Sequence, residues 1–196
     1  WDELEDFYGS SGRWDELIRI LEREADGKET EEADRLALLF RAAKLWIDKN
    51  AKPDRAARAY EKILDIDETN LEAAEALSPI YEQANDPRKL ARVYEVRLVH
   101  DMDPSARVAL LRETGLLYEE RLRAPETAFE KYLEAFSVMP DQEVVREDVE
   151  RMAQATGDWE KVVAAYEKAI EEADPDTAIE LRMNLGGVLT QVERVE

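Results

Sequence analysis

Apolar residues recur along this chain at intervals of three and four, and β-branched runs alternating every second residue are absent. The stretch "LALLFRAAKLW" sets apolar side chains at 36, 39, 42, 43 and 46, one stripe of an amphipathic helix. Five further stretches join a small or apolar residue to a larger one four positions on: Leu17/Leu21, Ala56/Tyr60, Leu90/Tyr94, Ala128/Tyr132 and Val162/Tyr166. That spacing places both members on one helical face. Pro53, Pro87 and Pro125 stand where the following helices begin, a position at which a missing N–H is harmless. Turn sequences such as "DIDETN", "HDMDPS", "VMPDQE" and "EADPDT" separate the helices. The pattern predicts an all-α chain of about eleven antiparallel helices and no sheet.

The helices come in a repeat. "GRWDELIRILERE" from residue 12, "NDPRKLARVYEVR" from 85 and "GDWEKVVAAYEKA" from 157 align at offsets of 73 and 72. The block 35–64 aligns with 107–136 at an offset of 72 without a gap, and "AIELRMNLGGVL" at 178–189 follows at 71. Each long unit holds two helical pairs, so the anchor positions advance by alternating steps of 39, 34, 38 and 34 residues. The pairs fall at approximately 1–27, 30–67, 69–101, 104–139 and 141–173, with an unpaired helix at 176–192.

In the fourth pair the first helix carries Leu111, Gly115 and Tyr118, and the second carries Ala128, Tyr132 and Ala135, closed by Pro140. The second pair has Leu39, Ala43, Trp46, Ala56, Tyr60 and Ile63 at these places. This alternation of apolar, small and aromatic positions resembles the tetratricopeptide repeat, a helix–turn–helix of about 34 residues. The resemblance spans the chain and is similar to long arrays in large bacterial proteins. It is close in the second and fourth pairs and looser in the others: Pro79 falls inside a first helix, and Glu150 stands where a small residue is expected. It implies a single right-handed α–α superhelix, a solenoid segment of a longer array. In it Ala43, Gly115 and Gly186 let the first helix of a pair approach the second. The aromatics Trp46, Tyr60, Tyr81, Tyr94, Tyr118, Tyr132 and Tyr166 then fill the core rather than line a cofactor site. Neither end is capped, which also leaves room for self-association of the ends.

The chain has 196 residues, no cysteine, and 47 acidic against 27 basic residues, for a net charge of -20. A field of that sign repels nucleic acid and anionic lipid, and it attracts basic proteins or peptides. No run of apolar residues is long enough for membrane insertion. The absence of cysteine leaves the compartment open, with the cytoplasm favoured.

Chemical motifs are scarce. The single histidine, His100, falls at a helix end without a neighbouring nucleophile or second ligand, so a structural role is expected. "DIDET" at 65–69 follows a helix rather than a buried strand. As a calcium loop it has Asn70 at the glycine position and Ala76 at the closing glutamate position. No phosphate loop, HExxH or GxSxG is present, and neither a cofactor, a metal nor an enzymatic activity is expected.

The resemblance implies that the first helices of the pairs line a concave groove. By helical position its candidates are Phe40, Arg41 and Lys44 in the second pair, and Glu72, Glu75 and Glu82 in the third. The fourth contributes Arg112, Glu113, Leu116 and Glu119, and the fifth Glu147, Asp148 and Arg151. Phe40 is expected as an apolar anchor, with the groove turning acidic beyond it. Pro79 either kinks this wall or breaks its helix. The Lys and Asn set that clamps chaperone C-terminal carboxylates is missing apart from Asn184. The function expected is a non-catalytic scaffold for a peptide or protein partner. A structural spacer that stacks through its ends, and an RNA-processing scaffold of the half-a-TPR type, stay open as alternatives.

Overall fold

The computed structural model describes the backbone of residues 1–195 and the side chains of residues 1–192. Among the described residues there are eleven α-helices, one π-helical segment and no strand, as the hydrophobic pattern predicts. They fall into two compact units, Trp1–His100 and Asp101–Glu196.

The first unit holds α1 (Asp2–Ser10), α2 (Trp14–Ala25), α3 (Glu32–Asp48), α4 (Pro53–Ile66), α5 (Leu71–Gln83) and α6 (Pro87–Leu98). Its core runs along the anchors foreseen in the sequence: Leu17, Leu21, Ala56, Tyr60, Leu90 and Tyr94 are all buried. Helix α1 has no buried residue, and Trp1, Leu4 and Phe7 remain exposed. The second unit holds α7 (Pro104–Leu116), α8 (Pro125–Val138), α9 (Glu143–Thr156), α10 (Trp159–Glu172) and α11 (Pro175–Val195). Ala128, Tyr132, Val162 and Tyr166 are buried there, and the Phe136 and Tyr166 rings lie 4.7 Å apart.

Side chains start several helices. Asn70 accepts from the Ala73 N–H, Asp86 from Lys89, and Asp103 from Ser105 and Ala106, each satisfying donors that the first turn leaves without partners. Proline occupies the first position of α4, α6, α7 and α8. The turn between the two helices of a pair repeats one backbone device. Gly12, Ala51, Asn85, Arg123 and Gly157 all have positive φ, and each stands two residues before its second helix begins. Glycine and asparagine suit that left-handed conformation, whereas Ala51 and Arg123 adopt it against their Cβ.

Several expectations are corrected. In the fourth pair α7 is continued by the π-helical segment Leu117–Arg121, which has no counterpart in α3 of the second pair. Helix α5 neither breaks nor ends at Pro79: it runs through to Gln83, with Pro79 on its exposed side. Pro79 has no N–H to offer the Glu75 carbonyl, and the proline stands on the solvent side of the helix. Gly115 does admit a close neighbour, since a Cβ there would lie 2.8 Å from the Tyr132 ring. Gly186 does not: it is exposed, and a Cβ would meet nothing within 4 Å. Glu150, out of pattern in a small-residue position, accepts a hydrogen bond from the Tyr166 hydroxyl at 3.1 Å.

Candidate interaction surface

In the second unit the predicted groove residues bind one another. Arg112 Nε on α7 donates to Asp148 Oδ2 on α9 at 2.5 Å. Arg151, one turn further along α9, grips both oxygens of Glu119 on the π-helical segment and lies 3.5 Å from Asp148. The Tyr132 hydroxyl of α8 adds a third donor to Glu119 at 3.0 Å. A two-pronged guanidinium–carboxylate contact of this kind is a directional bond as well as an ion pair. Burial alone would raise the Glu119 carboxyl, but the bonds from Arg151 and Tyr132 outweigh it and hold that carboxyl below its ordinary range. Burial, then the bond to Glu119, pushes the Tyr132 phenol up. Leu116, Glu113 and Glu147 are exposed beside this network.

The first unit is built differently. Arg41 reaches back to α1, donating to Glu5 at 2.8 Å and to Asp2 at 2.5 Å. Phe40 is half-buried and meets the Tyr60 ring edge-on, with centroids 6.1 Å apart. It is therefore part of a two-ring platform rather than an isolated anchor. Lys44 is exposed, as are Glu72, Glu75 and Glu82, which share one stripe of α5 at helical spacing. Burial raises the Tyr60 phenol, and the charges of Glu72 and Asp48 raise it further, so both acids act on the polar edge of that platform.

The 72-residue offset makes the contrast specific. Arg112, Glu119, Asp148 and Arg151 correspond in order to Phe40, Ile47, Ala76 and Pro79. Where the second unit places four charges that neutralise each other, the first places four apolar residues. Ile47 and Pro79 are exposed, Phe40 and Ala76 half-buried, and Asp48, Glu72, Glu75 and Glu82 stand around them. Ile47, Ala76 and Pro79 are not among the groove residues expected from helical position. The signal that finds them is the substitution pattern between the two copies of the repeat.

His100 has a structural partner, its Nε2 lying 2.6 Å from the Thr69 carbonyl oxygen, where the Nε2–H tautomer donates. The acidic turn before α5 is locally bonded: Asp67 accepts from the Thr69 N–H and hydroxyl and from the Asn70 amide. Among the described residues no group of three or more His, Cys, Asp or Glu is arranged to hold a metal ion. No helix among them is long and apolar enough to cross a membrane.

Residues 1–36 match the family described as Tetratricopeptide repeat. The match covers the first pair and the start of α3, not the second and fourth pairs, whose residues follow the pattern most closely. Among solved structures, two crystal structures of MamA are similar to this chain. One is 17% identical and covers 85% of this chain and 92% of that one, with a TM-score of 0.42. The other is 19% identical and covers 86% and 87%, also with a TM-score of 0.42. A search of curated proteins found no match. Residues 1–36 are thus similar to the tetratricopeptide-repeat family, and the later helix pairs repeat the same alternation of apolar, small and aromatic positions.

Proposed function

We propose that this protein is a non-catalytic scaffold, and that the first-helix face of its first unit holds a peptide segment of a partner protein. The observation behind this reading is the exchange of an ion network for an apolar strip. Phe40, Ile47, Ala76 and Pro79 stand where the second unit has Arg112, Glu119, Asp148 and Arg151. A self-neutralised network has little left to offer a ligand, because its charges are already paired and desolvation would have to be repaid. An apolar strip edged by carboxylates is suited to a segment with one or two apolar anchors flanked by Lys or Arg. Glu72, Glu75 and Glu82 supply the edge and Lys44 a counter-charge that fixes direction.

Selection of displayed peptides against the intact protein tests this. The enriched peptides should combine an apolar anchor with basic neighbours. Phe40→Ala, or Glu72→Lys with Glu75→Lys, should lower their affinity by about ten-fold or more, the scale of one anchor or charge pair. Peptides that bind these variants as well as the parent would move the site off this face.

A second reading, stacking of copies through α1 and α11, draws on the exposed Trp1, Leu4 and Phe7 and the exposed Ile179, Met183 and Leu189. Light scattering across a concentration series separates the readings, since stacking requires mass to grow with concentration and peptide holding does not.

A further inference from the structure

The second unit contains a cleft of about 800 Å³ on the face made by α8 and α10, the second helices of their pairs. Its floor is apolar, built from Leu133 and Val138 of α8 and Ala165 and Ala169 of α10. Five carboxylates line it, those of Glu130, Glu134, Asp141, Glu172 and Asp174, against the one lysine Lys168. Glu134 shares one oxygen with Lys131 at 3.2 Å. Asp174 is held ionised by hydrogen bonds from the Thr177 side chain and backbone. The last turns of α8 and α10 both contribute to the lining, through Ser137, Val138, Ala169 and Glu172, so two negative helix ends add to the carboxylate field.

In the first unit the corresponding face carries ion pairs between its two helices. At the 72-residue offset Leu133 corresponds to Glu61, Ala169 to Arg97 and Ser137 to Asp65. There α4 and α6 are tied together: Lys89 Nζ meets Glu61 Oε1 at 2.6 Å, and Arg92 approaches Asp65 at 4.0 Å. The second unit has Ala164 in place of Arg92 and Leu133 in place of Glu61, so neither bridge can form. Of the four bridging residues only Lys89 keeps a charged counterpart, Lys161, and it pairs with Asp158 at 2.8 Å; the apolar residues between α8 and α10 face a rim that is almost wholly negative.

We infer that the α8–α10 cleft is a second docking site, separate from the groove of the first unit, and that its occupant is a basic amphipathic helix of a partner protein. Apolar side chains of such a helix cover Leu133, Val138, Ala165 and Ala169, and its Lys or Arg stems lie along the walls with their charged heads at the carboxylates. A second copy of this chain is a poor occupant, because two surfaces from molecules of net charge -20 repel each other.

The test uses the intact protein and two fluorescein-labelled helical peptides, one of Leu and Lys, the other with every Lys replaced by Glu. Anisotropy should report binding of the Leu/Lys peptide and none of the Leu/Glu peptide. Ala169→Arg, which restores the first unit's residue inside the cleft, and Glu134→Lys with Glu172→Lys, on the exposed rim, should each weaken binding at least ten-fold. Glu72→Lys with Glu75→Lys changes the net charge by as much as the rim pair and should leave this binding within two-fold, which separates the cleft from the first-unit groove and from general attraction to an acidic protein. Helical circular dichroism and an unchanged melting curve for the rim variant exclude unfolding as the cause. Absence of Leu/Lys binding would overturn the inference. So would equal loss in the rim pair and the Glu72/Glu75 pair, or a concentration-dependent dimer dispersed by Ala169→Arg, which would assign the cleft to a second copy.

Discussion

Single residues decide how each pair turns and how its aromatic core is tied down. Five turns use a left-handed residue at one position, yet only Gly12 and Gly157 are glycines. The left-handed region costs a residue with a Cβ about 1 kcal/mol or more, partly offset by the greater freedom of glycine in the unfolded chain. Ala51→Gly and Arg123→Gly should therefore each stabilise the protein by about 0.5–1 kcal/mol in urea unfolding, and Gly157→Ala should destabilise it by about 1 kcal/mol. Glu119 contributes with a definite pH sign. Its folded carboxyl lies below the ordinary value, so its contribution is complete above the unfolded value near 4.5 and disappears as pH falls through the folded one. Thermal unfolding should accordingly lose melting temperature on acidification below about pH 5, and Glu119→Gln should flatten that slope while lowering the plateau at neutral pH. A slope equal to the parent's would remove Glu119 from the acid-labile set.

At the level of helices, spacing carried most of the information. The five anchor pairs, the starts at Pro53, Pro87 and Pro125, and the absence of strands among the described residues follow from periodicity and from proline lacking an N–H. Two features were not legible for physical reasons. The π-helical segment Leu117–Arg121 has no counterpart in α3, although the two blocks align without a gap, so chain length alone does not mark where the ladder widens. Pro79 reads as a helix breaker, but Ala73, Ala74, Leu77 and Tyr81 pack α5 along its buried side on both sides of the proline. That packing outweighs the lost Glu75 bond and keeps the helix continuous. Restoring the bond with Pro79→Ala should stabilise the protein by up to about 3 kcal/mol. The same substitution removes an apolar member of the proposed strip, so stability and peptide affinity should move in opposite directions. Calorimetric melting beside a peptide titration checks both signs on one variant.

Across the whole molecule, charge and repetition divide the work. With a net charge of -20, association with the proposed basic peptide should slow as salt shortens the screening length to about 8 Å near physiological ionic strength. Net charge cannot say which acids are available. Helical position nominated Glu119, Asp148, Arg112 and Arg151 alongside Glu72 and Glu75, but the first four are engaged with each other and the last two are exposed. Position along a helix gives the face; only contacts across neighbouring helices reveal whether its charges are already neutralised. In the proposed function the apolar strip Phe40, Ile47, Ala76 and Pro79 makes the first unit a peptide holder. The most direct measurement transplants the other unit's residues into it, as Phe40→Arg, Ile47→Glu, Ala76→Asp and Pro79→Arg in one folded protein. A selected basic-apolar peptide is then titrated calorimetrically into parent and variant. The peptide should bind the parent and not the variant, whose new charges pair with one another. Equal affinity for both proteins would contradict it.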